Sequence, residues 1–137
     1  MLNYKFKIGT KIQCSNEIPT SLIDSKGYAL KFYCTNCQTP NKFLIKPYET
    51  GYSIDHLFLE NKYISKAELL QNKVVQIPPK GYEYLGELLL DKINALYEIC
   101  NCANCSKTFI LVFGCGELQP GRESLLISGI WNIEKSD

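Results

Sequence analysis

Two short cysteine motifs constrain this chain more than any other feature. Tyr33-Cys-Thr-Asn-Cys-Gln-Thr is followed by Phe43-Leu-Ile, and Asn101-Cys-Ala-Asn-Cys-Ser-Lys is followed by Phe109-Ile-Leu. Both copies read strand, Cys-x-Asn-Cys, turn, strand, so the chain carries a weak internal repeat. One tight Cys-x-x-Cys turn sets two sulfurs on one side of a metal ion and aims backbone N–H groups at them. Two such turns fill a tetrahedral shell and leave no open position for water or substrate. The motifs predict a structural zinc ion, Zn2+, on Cys34, Cys37, Cys102 and Cys105. A redox dithiol fits less well, because neither pair opens a helical pattern. An iron–sulfur cluster also takes four cysteines and stays open at this point.

At the level of motif architecture the sequence resembles a zinc ribbon. The resemblance implies two knuckles that face each other and supply four thiolates. Two departures stand out. Residues 38–101 separate the pairs by 64 positions, where compact sites of this kind have about 15–20. Gln38 and Ser106 follow the second cysteines, where knuckles often carry glycine. The long separation is tolerable if the insertion folds back on itself, since loop-closure entropy grows slowly with length.

Three other cysteines complete the set of seven. Alternation along the strand that enters the second motif puts Cys100 on the same face as Cys102, so Cys100 is the alternative ligand. Cys14 and Cys115 have no neighbouring partner in sequence and read as buried small hydrophobes.

The rest of the chain reads as strands around a helical insertion. Tyr4, Phe6 and Ile8 alternate with Lys5 and Lys7, the period of a half-buried strand. Residues 14–27 read as a loop, punctuated by Asn16, Pro19, Ser21, Asp24 and Gly27. Strands are expected at Tyr28–Tyr33, at Lys42–Lys46 before Pro47, at Ala95–Cys100, at Lys107–Phe113 and at Ser124–Ile133. Ser65-Lys-Ala-Glu68 has capping-box form and predicts a short helix from Ser65. Val74–Ile77 is a short β-branched run, broken by Pro78-Pro79-Lys80-Gly81. Leu85, Leu88, Leu89 and Ile93 fall at helical spacing and predict a helix near 82–94. Gln119-Pro-Gly121 signals a turn. The expected fold class is α+β: a β-rich zinc-ribbon-like scaffold in one domain, 1–137, with a helical segment inserted at about 48–94.

Charge and motif content limit function. The net charge of +1 selects neither nucleic acid nor an anionic membrane. Residues 1–50 hold seven lysines against three acids, and 51–137 hold eight basic and eleven acidic residues. Lys5, Lys7, Lys11, Lys31 and Lys42 are the candidates for a basic face. Arg122 is the lone arginine, which weakens a phosphate- or guanine-reading role. No apolar run reaches membrane-spanning length. Lysines interrupt the N-terminal segment, so a cytoplasmic location in a bacterial cell is the expectation.

No Gly-rich phosphate loop, Gly-x-Ser-x-Gly elbow or His-Glu-x-x-His run is present, so the chain is not expected to be an enzyme. His56, the single histidine, reads as a surface or satisfied core residue. Tyr48, Tyr52, Tyr63, Tyr82 and Tyr84 fall in or beside expected loops and suit protein contact or base stacking. Glu83, Glu87, Asp91 and Glu98 would line one side of the 82–94 helix and its exit, a surface for a basic protein. The functional expectation is a protein-interaction module. One concrete version is an inhibitor such as a toxin immunity protein. The alternatives are a nucleic-acid-binding zinc ribbon and a thiol-based metal or redox sensor.

Overall fold

The computed structural model describes residues 4–14, 22–23, 27–46, 49–60, 62–119 and 122–136. Pro47, Tyr48, most of the expected 14–27 loop and the Pro-Gly centre of the turn at 119–121 lie outside them. β1 (Phe6–Ile12) and β2 (Leu22–Ile23) precede a hairpin of β3 (Tyr28–Tyr33) and β4 (Pro40–Ile45). β5 (Tyr52–Ser53), a π-helical turn at His56–Glu60 and helix α1 (Lys66–Gln71) follow. A 3-10 turn at Glu83–Leu85 leads to a small hairpin of β6 (Leu89–Leu90) and β7 (Ile93–Asn94). β8 (Leu96–Asn101), β9 (Thr108–Gln119) and β10 (Arg122–Lys135) close the fold. The result is strand-rich, in keeping with a β-rich α+β class.

The strands β1-β10-β9-β8-β5 form an antiparallel sheet in that order, with β2 also on β10. Residues 109–114 of β9 are all buried. Side chains alternate across a strand, so unbroken burial means both faces of the sheet are covered. Ile110 and Val112 pack with Ile54, Leu57, Leu69, Val74 and Leu88 of the insertion. Phe109, Leu111 and Phe113 pack with Leu30, Phe32 and Ile45 of the β3–β4 hairpin. The molecule thus has three layers: insertion, sheet, hairpin.

Two bulges change which residues of a strand face each layer. Ile8 and Ile12 would share a face in a regular strand, but the register shift between Ile8 and Lys11 sends Ile8 to the insertion side and Ile12 to the hairpin side. In β10 the shift between Ile127 and Gly129 puts Leu125 and Ile130 on the hairpin side and Trp131 and Ile133 on the other.

The insertion begins and ends at the same edge. Tyr52 pairs with Tyr97, and the Ile54 N–H donates to the Ala95 carbonyl at 3.0 Å. Gly51, at φ 100°, donates its N–H to Glu98 Oε1 at 2.9 Å, and a Cβ there would meet the Phe113 ring at 2.7 Å. That entry point needs glycine for both conformation and space. The helix starts where the sequence places it, with Ser65 Oγ accepting the Glu68 N–H at 3.1 Å. Glu68 itself accepts the Ile8 N–H at 3.0 Å, which ties α1 to β1.

The helix expected near 82–94 does not form. Gly86 lies at φ 149° and Asp91 at φ 52°, neither compatible with a continuous helix. Gln76 and Leu89 exchange both backbone hydrogen bonds, at 2.9 and 2.8 Å, so Leu89 is taken into an extended pairing. Leu88, Leu89 and Leu90 are all buried, so both faces of this extended segment are covered, which a one-sided helix does not achieve.

Phe109 is fully buried and meets Phe32 edge-to-face at 5.2 Å, joining sheet and hairpin. Phe109→Ala is expected to cost about 3–5 kcal/mol of stability in urea unfolding. A loss under about 1 kcal/mol would mean that this contact does not hold the layers together.

Candidate metal centre

The β3–β4 and β8–β9 hairpins bring their turns together at one end of the sheet. The Sγ atoms of Cys34, Cys37, Cys102 and Cys105 lie within 4.8 Å of one another. Cys34 and Cys105 sulfurs are 3.6 Å apart, as are those of Cys37 and Cys102. A tetrahedral ion with sulfur at ~2.3 Å requires a sulfur–sulfur edge of about 3.8 Å. The four cysteines can therefore hold one metal ion between them with little movement.

The two turns are built alike. The Cys34 N–H donates to the Thr39 carbonyl and the Cys102 N–H to the Lys107 carbonyl, both at 2.9 Å. The Asn36 N–H points at Cys34 Sγ from 3.3 Å, and the Asn104 N–H at Cys102 Sγ from 3.4 Å. The first turn closes through Gln38 at φ 64°, the left-handed conformation that explains why glycine is common there. Thr35 Oγ1 donates to the Oδ1 of buried Asn132 at 3.1 Å and anchors this turn to β10.

The thiols differ in acidity by environment. Burial pushes Cys34 up to about 11. Cys37 lies 3.1 Å from the Thr39 hydroxyl, and hydrogen bonding by Thr39 brings it down to about 6. The Asn104 N–H leads the causes that lower Cys102.

Cys100 shares the hairpin-side face with Cys102, as alternation implies, yet it is outside the four-sulfur group. Burial and then Glu98 push its thiol up to about 11. Cys14 forms a bridge with Phe32 and, like Cys115, packs against the hairpin-side core.

The acidic residues do not form a helix face. Glu83 accepts the Gly81 N–H, Glu87 pairs with Lys66 at 3.1 Å, and Glu98 serves Gly51. Asp91 is exposed in the β6–β7 turn. The lysines divide as well. Lys5 sits over the Tyr63 ring and Lys11 over Trp131, while Lys7 is registered opposite Glu134. Lys31 and Lys42 are directly opposite on the outer face of the β3–β4 hairpin, beside exposed Tyr33. His56 is half-buried in the π-helical turn with its ring 6.4 Å from that of Tyr52. Among the described residues no helix is long and apolar enough to cross a membrane.

Sequence reasoning missed Asn41. Its side chain accepts the Ala103 N–H at 3.0 Å and lies 3.6 Å from Cys102 Sγ. Nothing in the sequence marks a strand asparagine four positions past a cysteine as part of the opposite turn. Comparison with protein-family models, curated proteins and solved structures gives no match.

Two outcomes are expected. Cys34→Ser and Cys105→Ser lose bound metal in elemental analysis, while Cys14→Ser and Cys100→Ser retain it. Loss in either of the latter pair would redraw the ligand set. In metal-free protein, Cys37 is the thiol alkylated fastest at pH 7, and Cys34 and Cys100 resist until far more alkaline pH. The lowered Cys37 pKa adds stability that is complete above the ordinary value of 9.0 and lost as pH falls through about 6. Equal labelling of Cys37 and Cys100 at pH 7 would contradict this order.

Proposed function

We propose that this chain is a non-enzymatic protein-interaction module whose fold is held at one end by a structural zinc ion. The observation that carries the reading is the closed four-sulfur group: an ion bonded to all four has no vacant position for substrate or water. The sulfur spacing suits one ion at the centre rather than a multi-iron cluster, whose inorganic sulfides hold cysteines farther apart. Zinc is the common occupant of four-thiolate tetrahedra, and zinc-ribbon likeness in motif architecture supports the same choice.

The surface supports a protein partner. Tyr52, Leu59, Ile77 and Tyr84 are exposed large apolar side chains, with Tyr84 79% and Ile77 67% accessible. All four belong to the insertion. Ile77 lines an open groove of about 420 Å3 with Leu70, Val74, Val75 and Leu90. Exposed aromatic and aliphatic side chains beside a groove suit protein recognition. Glu83, Glu87 and Asp91 are exposed on the same insertion. They keep a basic partner, such as a toxin met by its immunity protein, within this reading.

A second reading has its own observation. Lys31, Lys42 and Tyr33 put two cations and an aromatic ring together on the hairpin, the elements of a single-stranded nucleic-acid platform.

Affinity capture from the native host with wild type and an Ile77→Ser/Tyr84→Ser double variant separates the two. Wild type is expected to retain a protein that the variant loses. The opposite result is salt-dependent binding to single-stranded oligonucleotides, abolished by Lys31→Glu/Lys42→Glu, with no captured protein; it would replace the protein-partner reading with the nucleic-acid one.

A further inference from the structure

Each cysteine motif carries asparagine at the same place. Their backbone N–H groups serve the first cysteine of their own motif. The Asn36 side chain also crosses to the second cysteine of the other motif, with Nδ2 3.5 Å from Cys105 Sγ. Any residue can supply the backbone donor, but the crossing contact needs a short side chain with an N–H.

Asn41 adds a second crossing. Its Nδ2 donates to the Thr39 carbonyl at 3.0 Å and lies 3.6 Å from Cys102 Sγ, while its Oδ1 accepts the Ala103 N–H at 3.0 Å. A flipped amide would set oxygen against carbonyl and sulfur and nitrogen against N–H, so the orientation is fixed by its neighbours. One side chain grips the turn of its own hairpin and both a sulfur and a peptide of the other.

We infer that Asn36 and Asn41 form an amide brace that sets the two cysteine turns against each other and supplies hydrogen bonds that a half-buried tetrathiolate requires. The inference rests on the zinc reading above. Four thiolates on one divalent cation leave two net negative charges next to the buried rings of Phe32 and Phe109. Negative charge in such surroundings is costly unless hydrogen-bonded. Neutral amides spread it without a counter-charge and lower sulfur basicity, so protons and competing ligands displace the metal less readily. Asn36 and Asn41 are positioning residues, acting on the metal through its sulfurs.

The test compares wild type with Asn41→Asp, Asn36→Ala and Asn101→Ala. Zinc content is read by elemental analysis, zinc release by a chromogenic chelator, and the thiolate-to-metal charge-transfer band in cobalt-loaded protein. Asn41→Asp keeps the shape and the acceptor for Ala103 but turns an oxygen toward Cys102 and the Thr39 carbonyl. Its zinc release is expected to quicken roughly ten- to a hundredfold, and its cobalt band to move to lower energy. Asn36→Ala, at an exposed site, is expected to quicken release less and to move the band the same way. Asn101 adjoins Cys102 but accepts from Thr108 Oγ1, so Asn101→Ala is expected to match wild type.

Wild-type release with an unmoved band in Asn41→Asp and Asn36→Ala overturns the brace and leaves the zinc reading standing. Equal acceleration in Asn101→Ala also overturns it. A wild-type protein without bound zinc overturns the zinc reading itself. Should Asn41→Asp not fold, Asn36→Ala decides alone.

Discussion

The double burial of β9 is the constraint on which the rest of the structure depends. Its apolar residues alternate between two layers, so neither the insertion nor the β3–β4 hairpin can shift without uncovering one face. Each large side chain so buried is worth about 1.5–3 kcal/mol relative to exposure. β9 also begins just after Cys105, and Phe32 lies two residues before Cys34. The Phe32–Phe109 contact therefore sets the two cysteine turns opposite each other. Packing of carbon places the sulfurs, and the metal chemistry is a consequence.

That order of dependence explains how a four-sulfur group survives a 64-residue separation between its halves. In a compact ribbon the metal is the main cross-link between knuckles. In this chain the intervening segment has its own core, its own helix cap and a strand, β5, paired onto β8 beside its exit. The distance a metal would close is the gap between two hairpin turns already packed against each other. The entropic cost of the long loop is met by apolar burial spread along it, so a bound ion would have little left to close.

Local signals were legible where local physics decides. The strand Tyr28–Tyr33, the cap at Ser65, the Cys-x-Asn-Cys turns and the shared face of Cys100 and Cys102 follow from alternation, capping chemistry and ligand spacing. Misreading came where pairing partners are distant. Leu85, Leu88, Leu89 and Ile93 match a helical period, but Leu88-Leu89-Leu90 matches a doubly covered extended segment as well, and only Gln76 breaks the tie. With that helix goes a single acidic helix face: Glu83, Glu87 and Glu98 turn to separate local partners, while Glu83, Glu87 and Asp91 stay exposed on the insertion. The bulges in β1 and β10 leave no composition signal, and Asn41 acts on a turn 62 residues away. Gln38 is the reverse case: an oddity in sequence that the structure turns into a left-handed residue, a conformation costing an ordinary side chain roughly 1–2 kcal/mol.

The three layers also divide the labour. The hairpin layer is occupied with seating the sulfurs: Leu30, Phe32 and Ile45 pack inward, and Asn36, Thr39 and Asn41 are committed to the cysteines. The insertion has no such duty, and Tyr52, Leu59, Ile77 and Tyr84 are exposed along it. On the protein-partner reading, the metal and the binding surface lie on opposite sides of the sheet and communicate through β9. Loss of the ion would then act on a partner by loosening the hairpin layer, exposing one face of β9 and weakening the platform under the insertion. It would not remove any group that touches the partner. On the nucleic-acid reading the dependence is direct, because Lys31, Lys42 and Tyr33 stand on the strands that end in the cysteine turn.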